Sequence, residues 1–120
     1  MIRRHHISVK NAIRGLTTAL NSQPNYRIHL FLSAIALIGG ILLRISYNEF
    51  LVIITLIFVG LTIETINTAI ESTNDAIDME WRKDIKVAKD ASAGAMLIFA
   101  LGALILSLII YIPKIVNLFN

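Results

Sequence analysis

The sequence predicts an all-α membrane protein in which an amino-terminal amphipathic surface helix is followed by three transmembrane helices. Of its 120 residues, 56% are hydrophobic, and the mean hydropathy of +0.71 is too high for one ordinary soluble domain. Long stretches carry no charge, whereas charged residues gather at the amino end and around residues 75 to 90. This distribution is typical of helices that cross a bilayer and of the segments that join them.

The first 24 residues have the apolar spacing of a helix. Val9, Ile13, Leu16 and Leu20 follow one another at intervals of 4, 3 and 4 residues, which places them on one helix face. The stretch is basic and contains no acidic residue. We therefore expect a surface helix on the cytoplasmic side of the membrane, with a flexible basic arm as the alternative.

Three runs are apolar enough to be predicted as membrane spans, and a charged segment joins the last two. The whole chain, residues 1–120, is predicted to form a single domain, because it is too short for two. The charged segment holds five acidic and four basic residues, as expected for a cytoplasmic loop or a helix extension. In chain order the predicted elements are the surface helix 1–24, the spans 28–43 and 49–71, the charged segment 75–90, and the span 91–112.

The lysines and arginines predict the orientation. Nine of the eleven lie before the first span or between the second and third. Only Arg44 and Lys114 lie on the other side. Because basic residues accumulate on the cytoplasmic side, we expect the amino end inside and the carboxyl end outside the cell membrane.

Several classes of site are excluded or disfavoured. The chain has no cysteine, which excludes disulfides, thiolate nucleophiles and Cys-based metal sites. His5, His6 and His29 lack metal-ligand spacing. No nucleic-acid-reading motif accompanies the net charge of +3, so no nucleic-acid partner is expected. Neither G-x-x-x-x-G-K-[ST] nor G-x-G-x-x-G occurs, so a nucleotide would have to be bound by another construction.

Four polar residues occupy one face of the second predicted span and of its helical continuation. Relative to Glu64, the other three positions lie at about −60°, −20° and +20° around the helix axis; they are Asn67, Glu71 and Asp75. From Glu64 to Asp75 the face extends roughly 16 Å, from membrane depth towards the cytoplasm. A carboxylate at membrane depth costs about 3 kcal/mol on insertion scales, so such residues usually have a function.

This polar face suits two tasks, which are holding a divalent cation beside a polyphosphate and removing a proton from a substrate hydroxyl. Lys89 and Asp90, where the third span begins, add a cation for phosphate and another oxygen ligand. Two other interpretations stay open. The polar residues could pair helices in an oligomer, or Glu64 and Glu71 could relay protons or ions, although no acidic residue in the first or third span continues such a path.

The segment at 64–75, read E-T-I-N-T-A-I-E-S-T-N-D, resembles the signature of the prokaryotic diacylglycerol kinase and undecaprenol kinase family. P-N-Y-R-I-H at 24–29 and A-K-D-A-S-A-G-A at 88–95 are also similar to family sequences, and the likeness covers nearly the whole chain. The N-x-R-I-H stretch looks more like the undecaprenol-type branch. No residue of the sequence specifies the length of the lipid's hydrocarbon chain, so undecaprenol and diacylglycerol both stay open as substrates.

The resemblance implies a homotrimeric lipid kinase of the cytoplasmic membrane that uses ATP and Mg²⁺, with sites shared between neighbouring protomers. Glu64 would be the general base and Glu71 a metal ligand. The nucleotide and substrate site would be completed by Asn67, Asp75, Lys89 and Asp90.

One departure from the family pattern concerns the metal. Gln23 stands where members usually have a glutamate that helps to hold the metal. Weaker metal binding is therefore expected, and a non-catalytic membrane protein of the same fold is the alternative.

Overall fold

The computed structural model describes residues 2–77 and 82–119. It contains four helices, which are α1 (Ile2–Ser22), α2 (Pro24–Leu42), α3 (Tyr47–Ile77) and α4 (Lys83–Val116). Three of them, α2, α3 and α4, are long and apolar enough to cross a membrane. The predicted fold class, an all-helical protein with three candidate membrane spans, is confirmed for the described residues.

The helices extend beyond the spans drawn from the sequence. α2 begins at Pro24, and α3 runs on to Ile77. Of the charged segment 75–90, residues 75–77 are the end of α3 and residues 83–90 are the first turns of α4. Residues 78–81 of that segment lie outside the described residues. The charged residues of this segment that the structure describes are therefore carried largely on helices, whose backbone fixes the spacing of their side chains.

α1 has an apolar face that the rest of the chain does not cover. Val9 and Ile13 are each 59% exposed, and Leu16 is also exposed. The buried apolar residue of this helix is Ala19. An exposed apolar stripe on a basic helix is the arrangement expected of a helix that lies on a membrane surface.

A short break between α1 and α2 places Gln23. Its backbone is extended, with φ −104° and ψ 115°, as the residue before a proline prefers. Its N–H donates to the carbonyl of Ala19 at 2.9 Å. The Arg27 guanidinium donates to the carbonyls of Leu20, at 3.5 Å, and Asn21, at 2.9 Å, which satisfies acceptors at the end of α1. These bonds hold the two helices at a defined angle.

The turn from α2 to α3 is closed by backbone bonds. Arg44 adopts a positive φ of 50°, and the N–H groups of Arg44 and Ile45 donate to the carbonyls of Ile41 and Gly40 at 3.2 and 3.1 Å. This is the bonding pattern of a Schellman motif, which usually has glycine at the left-handed position. Gly40 makes room for the turn, because a Cβ there would lie 2.8 Å from Cδ1 of Ile45.

The start of α3 is capped and joined to α4. Glu49 accepts a hydrogen bond from the Ser46 N–H at 2.6 Å, and the Ser46 hydroxyl accepts one from the Glu49 N–H at 3.3 Å, which forms a capping box. Lys114 of α4 pairs with the same glutamate at 3.1 Å. The end of α4 is thus held against the beginning of α3.

α3 lies at the centre of the molecule, where it contacts α1, α2 and α4. The close approach of α3 to α4 depends on Gly60, since a Cβ there would lie 2.6 Å from Cε1 of Phe99. α4 is joined to α2 by Tyr111, whose hydroxyl donates to the carbonyl of Ala36 at 2.6 Å. The three membrane helices therefore form one bundle around α3.

The outer surface of the bundle is apolar. On α4, large aliphatic side chains such as Leu97, Ile98, Leu101 and Ile109 are more than half exposed. A surface of this kind would be a liability in water but matches the hydrocarbon chains of a bilayer. Polar side chains that are buried inside the bundle therefore need an explanation other than contact with water.

Candidate functional site

Beyond Gly60, the buried residues of α3 are polar. Glu64 is 1% exposed, Asn67 is 6% exposed and Thr68 is 8% exposed, whereas many aliphatic residues of the same helix face outward. Burying a carboxylate and an amide in a membrane protein costs free energy, so such residues usually pair with one another or have a function. These residues therefore mark the candidate site.

Glu64 is buried without a hydrogen-bond partner among the described side chains. Both of its carboxylate oxygens are inaccessible to water and accept no hydrogen bond within residues 2–77 and 82–119. The hydroxyl of Thr68 donates to the main-chain carbonyl of Glu64 at 2.8 Å, so it does not serve the carboxylate. The Glu64 carboxylate thus keeps its full capacity to accept a proton or a hydrogen bond from a ligand.

The next turn of α3 meets the break between α1 and α2. The Asn67 amide donates to one oxygen of Glu71 at 3.1 Å, and the Gln23 amide donates to the other oxygen at 3.4 Å. Gln23 and Glu71 are 48 residues apart in the chain. The fold therefore brings together the two residues that the family resemblance assigned to the metal.

These three side chains offer oxygen atoms of the kind that Mg²⁺ prefers. Glu71 supplies a carboxylate, and the buried Oδ1 of Asn67 has no partner among the described residues. Gln23 would supply its carbonyl oxygen if its amide group turned over. Mg²⁺ commonly uses one or two carboxylates and takes its other ligands from water and phosphate, so this set of donors fits that ion. Nowhere in the described ranges do three or more His, Cys, Asp or Glu side chains form a group able to hold a metal ion by themselves.

Asp75 and Lys89 form an ion pair between the end of α3 and the beginning of α4. The carboxylate and the ammonium group are 2.5 Å apart, and both side chains are partly exposed. Exposed pairs contribute little to stability, so Lys89 can exchange its carboxylate for a phosphate at small cost. Asp90 is exposed at the next position of α4. In the described part of the chain, none of these three residues is hydrogen-bonded to Glu64, Asn67 or Glu71.

A polar groove between α1 and α3 was not foreseen from the sequence. Its volume is about 480 Å³, and its lining is rich in hydroxyl groups and contains one guanidinium group; the polar residues are Asn11, Arg14, Thr18, Ser22, Thr65, Thr68 and Ser72. Thr65, Thr68 and Ser72 have the spacing of one polar helix face. Only the packing of α1 shows which element lies opposite that face. The groove lies beside the face that carries Glu64 and Glu71.

A membrane bundle with buried acidic and amide groups in α3, and with the partly exposed Lys89 near the start of α4, is the kind of structure expected of a membrane protein that binds a phosphate compound. Comparison with known proteins gives the family. The sequence profile described as "Prokaryotic diacylglycerol kinase" matches residues 10–111, and the chain belongs to this family. It is therefore a lipid kinase, and membership in a kinase family implies that it uses ATP.

Two relatives are similar to the chain over more than nine-tenths of its length. It is 35% identical over 113 residues to "Undecaprenol kinase" of Bacillus subtilis (strain 168), which covers 94% of this chain and 92% of the relative. It is 29% identical over 113 residues to "Diacylglycerol kinase" of Synechocystis sp. (strain ATCC 27184 / PCC 6803 / Kazusa), covering 93% of this chain and 65% of the relative. The family predicted from the residues at 64–75 is thereby confirmed.

Proposed function

We propose that the protein transfers the γ-phosphate of ATP to the primary hydroxyl of undecaprenol, with diacylglycerol as the alternative substrate. The greater similarity to an undecaprenol kinase, over nearly the full length of both chains, supports this order of preference. The N-x-R-I-H stretch at 25–29 supports it as well.

Glu64 acts as the general base. The observation that carries this assignment is a carboxylate that is 1% exposed and whose two oxygens have no partner among the described residues. A lipid hydroxyl is a poor nucleophile until its proton is removed, and a positioned carboxylate can accept that proton. A glutamate with a structural role would be expected to have a partner inside the bundle.

Glu71, Asn67 and Gln23 are the residues that would hold Mg²⁺. When bound, this ion would offset the negative charge that develops on the phosphate oxygens during transfer. Lys89 supplies a positive charge for the phosphates when it leaves Asp75, and Asp90 adds an oxygen acceptor at the same cytoplasmic end. These roles place the nucleotide at the cytoplasmic end of α3 and α4.

The same arrangement supports a proposal for orientation and assembly. We place α1 and the junction of α3 and α4 on the cytoplasmic side, with the carboxyl end outside, because nine of eleven basic residues then lie inside. We also propose a homotrimer in the cell membrane. The Asp75–Lys89 pair and the polar groove are open at the surface of one chain, so a neighbouring protomer would complete the enclosure of the site.

The test is the Glu64→Gln variant, with Glu49→Gln as a matched control at the other end of the same helix. Glutamine keeps the size of the side chain but does not accept the proton. We expect kcat to fall roughly a hundredfold or more with nucleotide binding kept, whereas Glu49→Gln should retain activity. Phosphate transfer from radiolabelled ATP to undecaprenol and to diacylglycerol measures both the rate and the substrate preference.

Near wild-type turnover of Glu64→Gln would remove Glu64 from the role of base. A wild-type protein that phosphorylates neither lipid at any magnesium concentration would instead support the non-catalytic alternative. The ground for that alternative is Gln23, which stands where family members usually have a metal-binding glutamate.

A further inference from the structure

The carboxylate of Glu64 needs a way to lose its proton after each transfer. In the proposed reaction the O–H bond of the lipid alcohol breaks and its proton passes to Glu64, while the hydroxyl oxygen forms a bond to the γ-phosphorus of ATP and ADP leaves. Glu64 is 1% exposed, and both of its oxygens are inaccessible to water. A second turnover can begin only when the proton has moved from this buried group to water.

The cavity between α2, α3 and α4 is a poor route for that proton. It is lined mainly by aliphatic and aromatic side chains, such as Ile57 of α3 and Phe99 of α4. Protons move along chains of water molecules and hydroxyl groups, whereas a cavity with an apolar lining tends to stay dry. The route must therefore be sought on another side of α3.

The polar groove between α1 and α3 has the lining that such a route needs. Thr65 and Thr68 of this groove lie one and four residues after Glu64 on the same helix, and Thr68 is 8% exposed. On the opposite wall, Asn11 and Thr18 of α1 are exposed. The volume of about 480 Å³ is far above the roughly 30 Å³ that one water molecule occupies. The groove thus leads from a buried residue beside Glu64 to the surface of the chain.

The hydroxyl groups of the groove have acceptor capacity for water. Thr65 and Thr68 each donate to the main-chain carbonyl four residues earlier in α3, at 2.7 and 2.8 Å. Thr18 does the same in α1, at 3.0 Å. Because each hydroxyl has given its hydrogen to the backbone, its oxygen accepts hydrogen bonds from water. The Arg14 guanidinium also lines the groove, but it does not lose its protons and so cannot relay one.

We propose that the groove between α1 and α3 is the exit for the proton that Glu64 takes from the lipid hydroxyl. The proposal rests on the proposed role of Glu64. The protonated carboxyl group gives its proton to water held by Thr65 and Thr68, and the proton leaves through the groove to the aqueous phase, which returns Glu64 to the carboxylate form. Thr65 and Thr68 are positioning residues in this scheme, because they act through the water that they hold.

The double variant Thr65→Val/Thr68→Val removes two hydroxyl groups and keeps the size of both side chains. Thr62→Val is the matched control, since Thr62 is exposed on the same helix, lies outside the lining of the groove and donates in the same way to the carbonyl of Phe58, at 2.8 Å. Rapid-quench assays with radiolabelled ATP and undecaprenol in mixed micelles follow the first and later turnovers. For the double variant we expect the first turnover to keep its rate and the steady-state rate to fall about tenfold, so that a burst of one lipid phosphate per site appears. The control should show neither change.

Heavy water separates proton exit from slow product release, which would also give a burst. A proton transfer that limits the rate is slower in heavy water, whereas the dissociation of ADP or lipid phosphate transfers no proton. The solvent isotope effect on the steady-state rate should therefore be larger for the double variant than for the wild type, with the isotope effect on the burst unchanged. If the double variant does not fold by circular dichroism, Thr68→Val alone replaces it.

A second measurement needs no turnover. The chain has no cysteine, so Thr68→Cys and Thr62→Cys each carry a single thiol. A charged methanethiosulfonate reagent reacts with the thiolate form, which water supports and hydrocarbon does not. Thr68 is buried and Thr62 is exposed, yet we expect the reagent to modify position 68 and to spare position 62. The reason is that the groove holds water, whereas the outer surface of α3 lies against lipid.

Three results would overturn the assignment in different parts. Protection of Thr68→Cys from the reagent would show that water does not reach the inner end of the groove. A double variant without a burst, combined with an inactive Glu64→Gln, would leave Glu64 as the base and send its proton elsewhere, for example onto the phosphate of the product. Near wild-type turnover of Glu64→Gln would remove the source of the proton, even where the labelling shows that the groove holds water.

Discussion

Replacing Gln23 by glutamate would place two carboxylates where the structure has an amide donor and a carboxylate. The Gln23 nitrogen and the Glu71 oxygen are 3.4 Å apart. At a separation of 4 Å, two like unit charges repel by about 1 kcal/mol in water and about 4 kcal/mol at an effective dielectric constant near 20. Both side chains are partly exposed, so the repulsion should lie between these limits.

A divalent cation would relieve this repulsion, so the variant should bind Mg²⁺ more tightly than the wild type. Each 1.4 kcal/mol corresponds to a factor of about ten in affinity. We therefore expect Gln23→Glu to lower the magnesium concentration for half-maximal lipid phosphorylation about tenfold. Without magnesium, the variant should unfold at a lower temperature than the wild type, and addition of magnesium should remove or reverse that difference.

Three further variants make the titration decisive. Glu71→Gln should nearly abolish turnover, because the group of Gln23, Asn67 and Glu71 then has no carboxylate left for the ion. The double variant Gln23→Glu/Glu71→Gln again pairs one carboxylate with one amide, so part of the activity should return. Asn21→Asp makes the same amide-to-carboxylate change two residues away, at an exposed position, and should leave the titration unchanged.

The outcome that refutes the reasoning is a magnesium titration of Gln23→Glu that matches the wild type while Glu71→Gln stays active. Neither residue would then belong to the metal site. A shift of the same size in Asn21→Asp would mean that the local negative charge, rather than the geometry at Glu71, determines magnesium affinity.

Orientation and assembly give two more predictions. The chain has no cysteine, so Asn48→Cys and Lys83→Cys each provide a single labelling site. A membrane-impermeant maleimide should reach the two sites from opposite sides of the membrane. Labelling of both from the same side would contradict the proposed topology. The purified protein in detergent should have a protein mass three times that of the 13.3 kDa chain, as measured by light scattering, whereas a monomeric mass would contradict the trimer.

The helices and the polar face of α3 could be predicted because both depend on local rules. Uncharged runs and a helical repeat determine which segments cross the membrane, and helix geometry alone places Glu64, Asn67 and Glu71 on one face. The contact between Gln23 and Glu71 could not be obtained in this way, since it joins residues 48 positions apart. The family resemblance assigned both residues to the metal, and the structure adds their distance.

Features that depend on how the helices pack were not predictable. Ala103 and Ser107 have the spacing of a close helix contact, yet both line an apolar cavity of about 360 Å³ between α2, α3 and α4. The close approach occurs at Gly60 against Phe99 instead. Tyr111 lies near the end of the third predicted span, where interfacial aromatics are typical, yet its hydroxyl donates to the carbonyl of Ala36 in α2. Single-sequence patterns identify which faces are small or polar, but the neighbour of each face is set by the relative rotation of the helices.

The candidate site combines one rigid element with one that is adjustable. Glu64, Asn67 and Glu71 lie on a continuous helix, so their mutual spacing is fixed by the backbone. Gln23 comes from the break between α1 and α2, where its position depends on the bonds that Arg27 makes to the end of α1. α1 also carries an apolar face that the rest of the chain leaves uncovered, so the packing of α1 against its surroundings bears on the position of Gln23. The proposed metal ligands therefore come from two elements, the break at Gln23 and the helix α3, whereas the proposed base Glu64 comes from α3 alone.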